Sequence, residues 1–199
     1  MKLLYYHLLL NNLSLFFFRC SDPLYLLEFY AARVALHNKD LAQFGGIDKD
    51  FWIRTEDLLM RSKRGYQLSD FARIAWLYSE TKMGTNIFWQ ELEEQILTKA
   101  SQFKKLDDNG NTLSKVIHSF AKIDRNSDLF WNLMTQTVTQ VQELNQVSFK
   151  NELSILSSII NISESFTKQI FTSFKNKYLT NNQFTIETLD DAINLMQVL

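Results

Sequence analysis

Cysteine occurs once, at Cys20, so neither an internal disulfide nor a cysteine zinc site is available. Proline also occurs once, at Pro23, and glycine five times in 199 residues. So few turn-formers and a single helix-breaker favour long helices over a many-turned β-fold. Neither charge sign dominates: 21 basic and 22 acidic residues leave a net charge of -1. That argues against a strongly electropositive nucleic-acid binder, although a balanced total leaves room for one basic face. Histidine is confined to His7, His37 and His118. Gly45-Gly46 lacks both the spaced glycines and the Lys-Ser/Thr of a phosphate loop, and no His-Glu-x-x-His metal pattern occurs. What is abundant is apolar: 46% of the chain, led by 16 Phe, against 22% charged. This is enough for one continuous core and outside the disordered range.

The pair Phe-Trp recurs as Phe51-Trp52, Phe88-Trp89 and Phe130-Trp131. Self-similarity at roughly 40 residues marks a repeat architecture. Each pair opens a first helix. Trp52 is followed by Leu59, Trp89 by Leu92 and Ile96, Trp131 by Met134 and Val138. Such spacings lay the residues along one stripe of a helix. A fourth unit reads with Ile170-Phe171 in place of the doublet, then Phe174 and Tyr178. A second helix repeats more strictly: Phe71, Ile74, Ala75 and Tyr78, then Leu113, Val116, Ile117 and Phe120, then Leu153, Leu156, Ser157 and Ile160. Each set begins 17 residues before the next doublet position (Phe71 to Phe88, Leu113 to Phe130, Leu153 to Ile170). Length variation therefore falls in the loop between first and second helices, as at Asp107-Asp108-Asn109-Gly110-Asn111. Leu189, Ala192, Ile193 and Met196 predict a last second helix, and Leu27, Tyr30, Ala31 and Val34 an initial one before the Gly45-Gly46 connector. Helix starts are expected at Asp50, Ser69-Asp70 and Ser127-Asp128, residue types that cap a first turn.

The expected fold is all-α: a right-handed type of α-solenoid with about four degenerate helical hairpins of roughly 37–42 residues. A lone hairpin cannot bury its apolar stripe, and stacked hairpins bury each other's. Phe51, Trp52, Phe88, Trp89, Phe130, Trp131 and Phe171 are read as the core of the repeats. Each buried aromatic contributes roughly 1.5–3 kcal/mol by area, and truncation to Ala costs ~3–5 kcal/mol. The repeat domain is placed at residues 22–199, after an apolar segment over 1–21.

That segment carries no acid and only Lys2 and Arg19 as firm positive charges. Four readings compete. The flanks of Cys20 fit a signal-peptide cut poorly. The Asn11-Asn12 pair is costly in a membrane helix, which needs about 20 apolar residues. The absence of acids suits mitochondrial targeting. The favoured expectation is a retained helix buried on the repeat or on a partner, with membrane contact by residues 1–20 less favoured.

No catalytic, cofactor or metal residues emerge. Glu91, Glu93 and Glu94 sit in the first turns of a helix, where acid suits the dipole. Asp107, Asp108 and Asn109 resemble a calcium-loop fragment, but no Glu closes the loop. His118 falls off the apolar set, at the place Trp76 holds one unit earlier, and reads as solvated or partner-facing. Arg61, Lys63 and Arg64 end one first helix, and Lys99, Lys104 and Lys105 end the next. Cations there suit the helix dipole, yet their recurrence predicts one basic edge able to touch phosphates.

The doublet and its spacing, from Phe51-Trp52 to Leu59, Leu68 to Tyr78, Phe88-Trp89 to Leu97 and Leu113 to Phe120, resemble the octotricopeptide and heptatricopeptide repeats of organellar RNA-associated proteins, including the FASTK-style mitochondrial ones. The resemblance covers about residues 51–199. It implies non-catalytic RNA binding in mitochondria or plastids, often within ribosomes. The expectation is a non-enzymatic structural subunit of a large mitochondrial assembly, foremost the mitochondrial ribosome, in the matrix or at the matrix face of the inner membrane. It would bind protein neighbours and touch rRNA along the basic edge, with no cofactor. The alternatives are an accessory subunit of an inner-membrane respiratory or ATP synthase complex, and a free organellar RNA-processing factor.

Overall fold

A computed structural model describes residues 49–179, apart from positions 126, 145, 161 and 163, together with Leu24. The side chain of Phe51 and the helices expected around Leu27 and Leu189 lie outside the described residues. The described residues form seven α-helices with short 3-10 and π-helical extensions, and no strand. The chain divides into two compact units, Met1–Gly65 and Tyr66–Leu199.

In the first unit, helix α1 (Lys49–Ser62) runs into a 3-10 turn at Lys63–Gly65. Its buried residues, Trp52, Thr55, Glu56 and Leu59, follow helical spacing along one stripe. Ile53, Arg54, Asp57 and Arg61 are exposed.

The second unit holds α2 (Leu68–Glu80), α3 (Asn86–Lys99), α4 (Asn111–Lys122), α5 (Asp128–Glu143), α6 (Phe149–Ile159) and α7 (Glu164–Phe174). Helix α3 is extended by a 3-10 segment, Ala100–Lys105, and α7 by a π-helical turn, Lys175–Leu179. Helix α2 packs on α4, and α4 on α6. Helix α3 lies against α2 and α5, and α7 against α5 and α6.

The sequence starts and stops these helices at matching places. The N–H groups of Phe88 and Phe130 donate to the cap hydroxyls of Thr85 (3.2 Å) and Ser127 (3.3 Å). Helix α2 differs from expectation: its cap is Gln67, and Asp70, three residues in, accepts from the Gln67 N–H at 2.9 Å. Helices α2 and α4 both end with a left-handed residue, Lys82 and Asp124, each at φ 54°. The next N–H closes back over the last turn, Met83 to Tyr78 O (3.0 Å) and Arg125 to Phe120 O (3.2 Å).

The Phe-Trp doublets of α3 and α5 occupy equivalent environments. Trp89 Nε1–H donates to Met83 O at 3.1 Å, and Trp131 Nε1–H to Arg125 O at 2.7 Å. Each indole is thus tied to the carbonyl six residues upstream, in the turn that delivers its own helix. Phe88 lies on Tyr78 with ring centroids 4.2 Å apart, and Phe130 on Phe120 at 4.3 Å. Trp89 meets Phe120 edge-on at 5.5 Å. Gly84, at φ 106°, is required beside this contact, because a Cβ there would collide with the Trp89 indole.

The last unit departs from the spacing read in the sequence. Phe171 is half-buried and Ile160 is 37% exposed, while Phe166 is only 4% exposed. Phe166 is third in α7, as Phe88 is in α3 and Phe130 in α5. It opens the buried row Phe166, Ile170, Phe174, Tyr178, matching Phe88, Leu92, Ile96, Ala100 and Phe130, Met134, Val138, Gln142. The doublet slot therefore falls four residues earlier than Ile170-Phe171: the connection from α6 to α7 is one residue shorter than its counterparts, α6 ends two residues sooner after its first buried position, and its buried set begins one residue earlier than the sequence spacing suggests. Helix α6 is also shifted by one residue: Glu152, Ile155, Leu156 and Ile159 take the places of Phe71, Ile74, Ala75, Tyr78 and of Leu113, Val116, Ile117, Phe120.

Candidate functional site

Three polar clusters stand on this frame. The first crosses α2, α4 and α6. Glu80 ends α2, and its Oε2 accepts from Lys122 Nζ of α4 at 2.7 Å. Its Oε1 lies 3.3 Å from His118 Nε2, and His118 Nδ1 lies 3.1 Å from Ser158 Oγ of α6. The His118 hydrogen bond, aided by Lys122, holds the Glu80 carboxyl below its usual range despite partial burial. A serine, an imidazole and a carboxylate are the parts of a nucleophilic relay. The geometry is that of a strap instead. Ser158 Oγ–H donates to Ser154 O at 2.7 Å, so its proton is directed at the backbone. The hydroxyl also sits in the last turn of α6, where the negative dipole end opposes an oxyanion.

The second cluster ties α3 to the turn before α5. Glu93 is buried and accepts from Arg125 Nη2 at 3.2 Å. One carboxylate of the Glu91, Glu93, Glu94 group is therefore an interhelical anchor, beyond any dipole role. The third lies under the π-helical turn. Glu152 is 0% exposed, and its Oε1 accepts from Lys177 Nζ at 2.7 Å. Gln142 Nε2 approaches its other oxygen at 3.5 Å. Burial pushes the Glu152 carboxyl up, opposed by the Lys177 hydrogen bond. Lys177 also lies over the Tyr178 ring, 4.7 Å from its centroid.

The basic residues expected to form one edge fall in separate units. Arg61, Lys63 and Arg64 belong to the first, where Arg61 is exposed and pairs with Asp57 at 2.7 Å. Lys99 ends α3, and Lys104 and Lys105 are exposed at the end of its 3-10 extension in the second unit. A single edge carrying both groups is not a feature of either unit by itself. Of the expected core, Trp52, Phe88, Trp89, Phe130 and Trp131 are buried, and Phe171 is the exception. Asp108 caps α4 from within the loop: Oδ1 accepts from Gly110 N–H at 3.1 Å and Oδ2 from Thr112 N–H at 2.9 Å. Among the described residues, no group of three or more His, Cys, Asp or Glu is placed to hold a metal ion. No described helix is long and apolar enough to cross a membrane.

Sequence reasoning missed the strap. A signal was present: Ser158 follows His118 by 40 residues and Glu80 precedes it by 38, both close to the spacing of the Phe-Trp doublets. No protein-family model matches the chain, and no curated protein or solved structure is significantly similar to it.

Proposed function

We propose that the chain is a short α-solenoid of stacked hairpins serving as a non-enzymatic structural subunit of a large assembly. The observation that carries this is the equivalence of the α3 and α5 doublets, with the same indole-to-carbonyl tie and each phenylalanine lying against an aromatic ring of the helix before it, Tyr78 or Phe120. Paired equivalent environments are what a repeat produces, and quasi-one-dimensional stacks expose long side faces suited to scaffolding. The three polar clusters join helices to one another, which also suits a framework.

The mitochondrial ribosome is the proposed setting, on the resemblance of the doublet spacing to organellar repeat proteins. Phosphate contact is assigned to Arg61, Lys63 and Arg64, and to Lys99, Lys104 and Lys105. A tagged chain should co-sediment with ribosomal particles when an organelle lysate is run on a gradient. Migration as a free protein, or only in detergent with membrane complexes, would reject the setting. Replacing Arg61, Lys63 and Arg64 by Ser should reduce RNA crosslinking severalfold; an unchanged yield would remove RNA from the proposal.

A further inference from the structure

Two exposed apolar side chains fall on one slot of the repeat. Ile87 is 74% exposed and Leu129 is 69% exposed. Each is the second residue of its helix, directly before the doublet phenylalanine of α3 or α5. Single exposed apolar residues are ordinary on a protein surface. The same slot filled twice on neighbouring helices is not, and capping does not require it, since the Thr85 and Ser127 hydroxyls perform that task. We propose that the N-terminal ends of α3 and α5 dock a cationic amphipathic helix of a neighbouring protein, a neighbour whose presence rests on the scaffold reading above.

Spacing selects a helix. Helices α3 and α5 are in contact, which sets their axes about 8–10 Å apart. Equivalent slots therefore hold Ile87 and Leu129 about one such distance apart. Positions i and i+7 of an α-helix lie on one face, about 10.5 Å apart. An extended strand puts its same-face residues about 6.6 or about 13 Å apart and misses the second contact. Leu133, half-buried one turn on from Leu129, widens the apolar contact on α5.

Charge selects the sign. Helix α5 contains no lysine or arginine, and α3 holds only Lys99, its last residue. Glu94 and Asp128 are exposed on the two helices, and Glu91, half-buried, stands one turn on from Ile87. Arg125, in the turn before α5, is engaged with buried Glu93. The rim of the apolar pair is therefore acidic, complementary to lysines or arginines that flank an apolar stripe. A second copy fits less well. Its cations Arg73, Lys115 and Lys122 lie on α2 and α4, where no large apolar side chain among the described residues is exposed beside them.

Fluorescence anisotropy of the full chain with a labelled leucine–lysine amphipathic helix of about 18 residues, in about 0.15 M salt, tests the surface without any particle. One saturable site per chain is expected, with a leucine–glutamate helix about tenfold weaker. A peptide with leucine and lysine in strict alternation should be weaker by about the same factor. Ile87→Ser combined with Leu129→Ser should weaken the leucine–lysine helix about tenfold, whereas Leu144→Ser, at the far end of α5, should leave it unchanged. All three side chains are exposed, so their removal leaves the core intact. Absence of saturable binding overturns the docking surface, as does binding unchanged by the double substitution or weakened equally by Leu144→Ser. In sedimentation, a wild-type mass that doubles while the doubly substituted chain stays single makes a second copy the occupant and overturns the cationic helix. Loss of ribosomal co-sedimentation with peptide binding intact removes the setting and leaves the surface.

Discussion

Trp131→Phe is the sharpest probe of the repeat. It removes the indole N–H that donates to Arg125 O at 2.7 Å and leaves that carbonyl without its partner. Stranding a buried polar group costs about 1–3 kcal/mol. The substitution also vacates roughly 40 Å³, which at about 24 cal/mol per Å³ adds ~1 kcal/mol. The expected loss is therefore about 2–4 kcal/mol. Trp89→Phe breaks the equivalent bond to Met83 O and should cost the same within about 1 kcal/mol. Trp76, half-buried on α2, is the internal control: Trp76→Phe should cost under about 1 kcal/mol. Urea unfolding followed by circular dichroism reads all three, with midpoint shifts of about 1–2 M for the first two at a slope of about 2 kcal/mol/M. If Trp76→Phe costs as much as the other two, or if Trp89→Phe is near neutral while Trp131→Phe is not, the two doublets are not equivalent and the repeat reading fails.

Three further outcomes are expected. Lys82→Gly and Asp124→Gly relieve left-handed backbone at helix ends and should each raise stability by about 0.5–1 kcal/mol in thermal melts; a loss at both positions would contradict the cap geometry. Lys177→Met strands the Glu152 carboxylate and should cost about 3–5 kcal/mol, whereas Glu152→Leu combined with Lys177→Met should recover most of it, since Leu113 already fills the matching place on α4. A double variant as unstable as the single one would show that the site tolerates no apolar filling. Glu80 titrates lower in the folded chain than in the unfolded one, so the unfolded chain takes up the proton first on acidification. Its stabilisation is complete above the ordinary carboxylate range and is lost as pH falls through the folded value; acid-unfolding curves of wild type and Glu80→Gln should converge there, and curves that stay parallel would contradict the assignment.

The helices were legible because their signals are local. Phe88-Trp89 and Phe130-Trp131 open stripes whose spacing admits one helical phase, and Thr85 and Ser127 stand at their starts. The last hairpin was less legible. Ser157, Ser158, Ile159 and Ile160 allow two phases one residue apart, and only the packing of α6 selects Ile159 over Ile160. Phe166 and Ile170 are both apolar candidates for the slot of Phe88 and Phe130, and the choice depends on where α7 begins. Glu152 was invisible as a core residue, because a carboxylate reads as surface until its counter-ion is known, and Lys177 is 25 residues away. The polar strap was hidden for the same reason: its members are unremarkable singly and meet only when three helices are side by side.

The Glu152 substitution has a consequence for how such a chain can change. Where α2 and α4 carry Phe71 and Leu113, α6 carries an acid that requires a lysine from one particular later turn. A copy of α6 placed without that turn would bring the acid without its lysine, at a cost of about 3–5 kcal/mol against an ordinary margin of about 5–15 kcal/mol. Helices α2, α4 and α6 share one pattern of buried positions yet are not interchangeable, because the acid on α6 is held by a lysine that belongs to a single later turn.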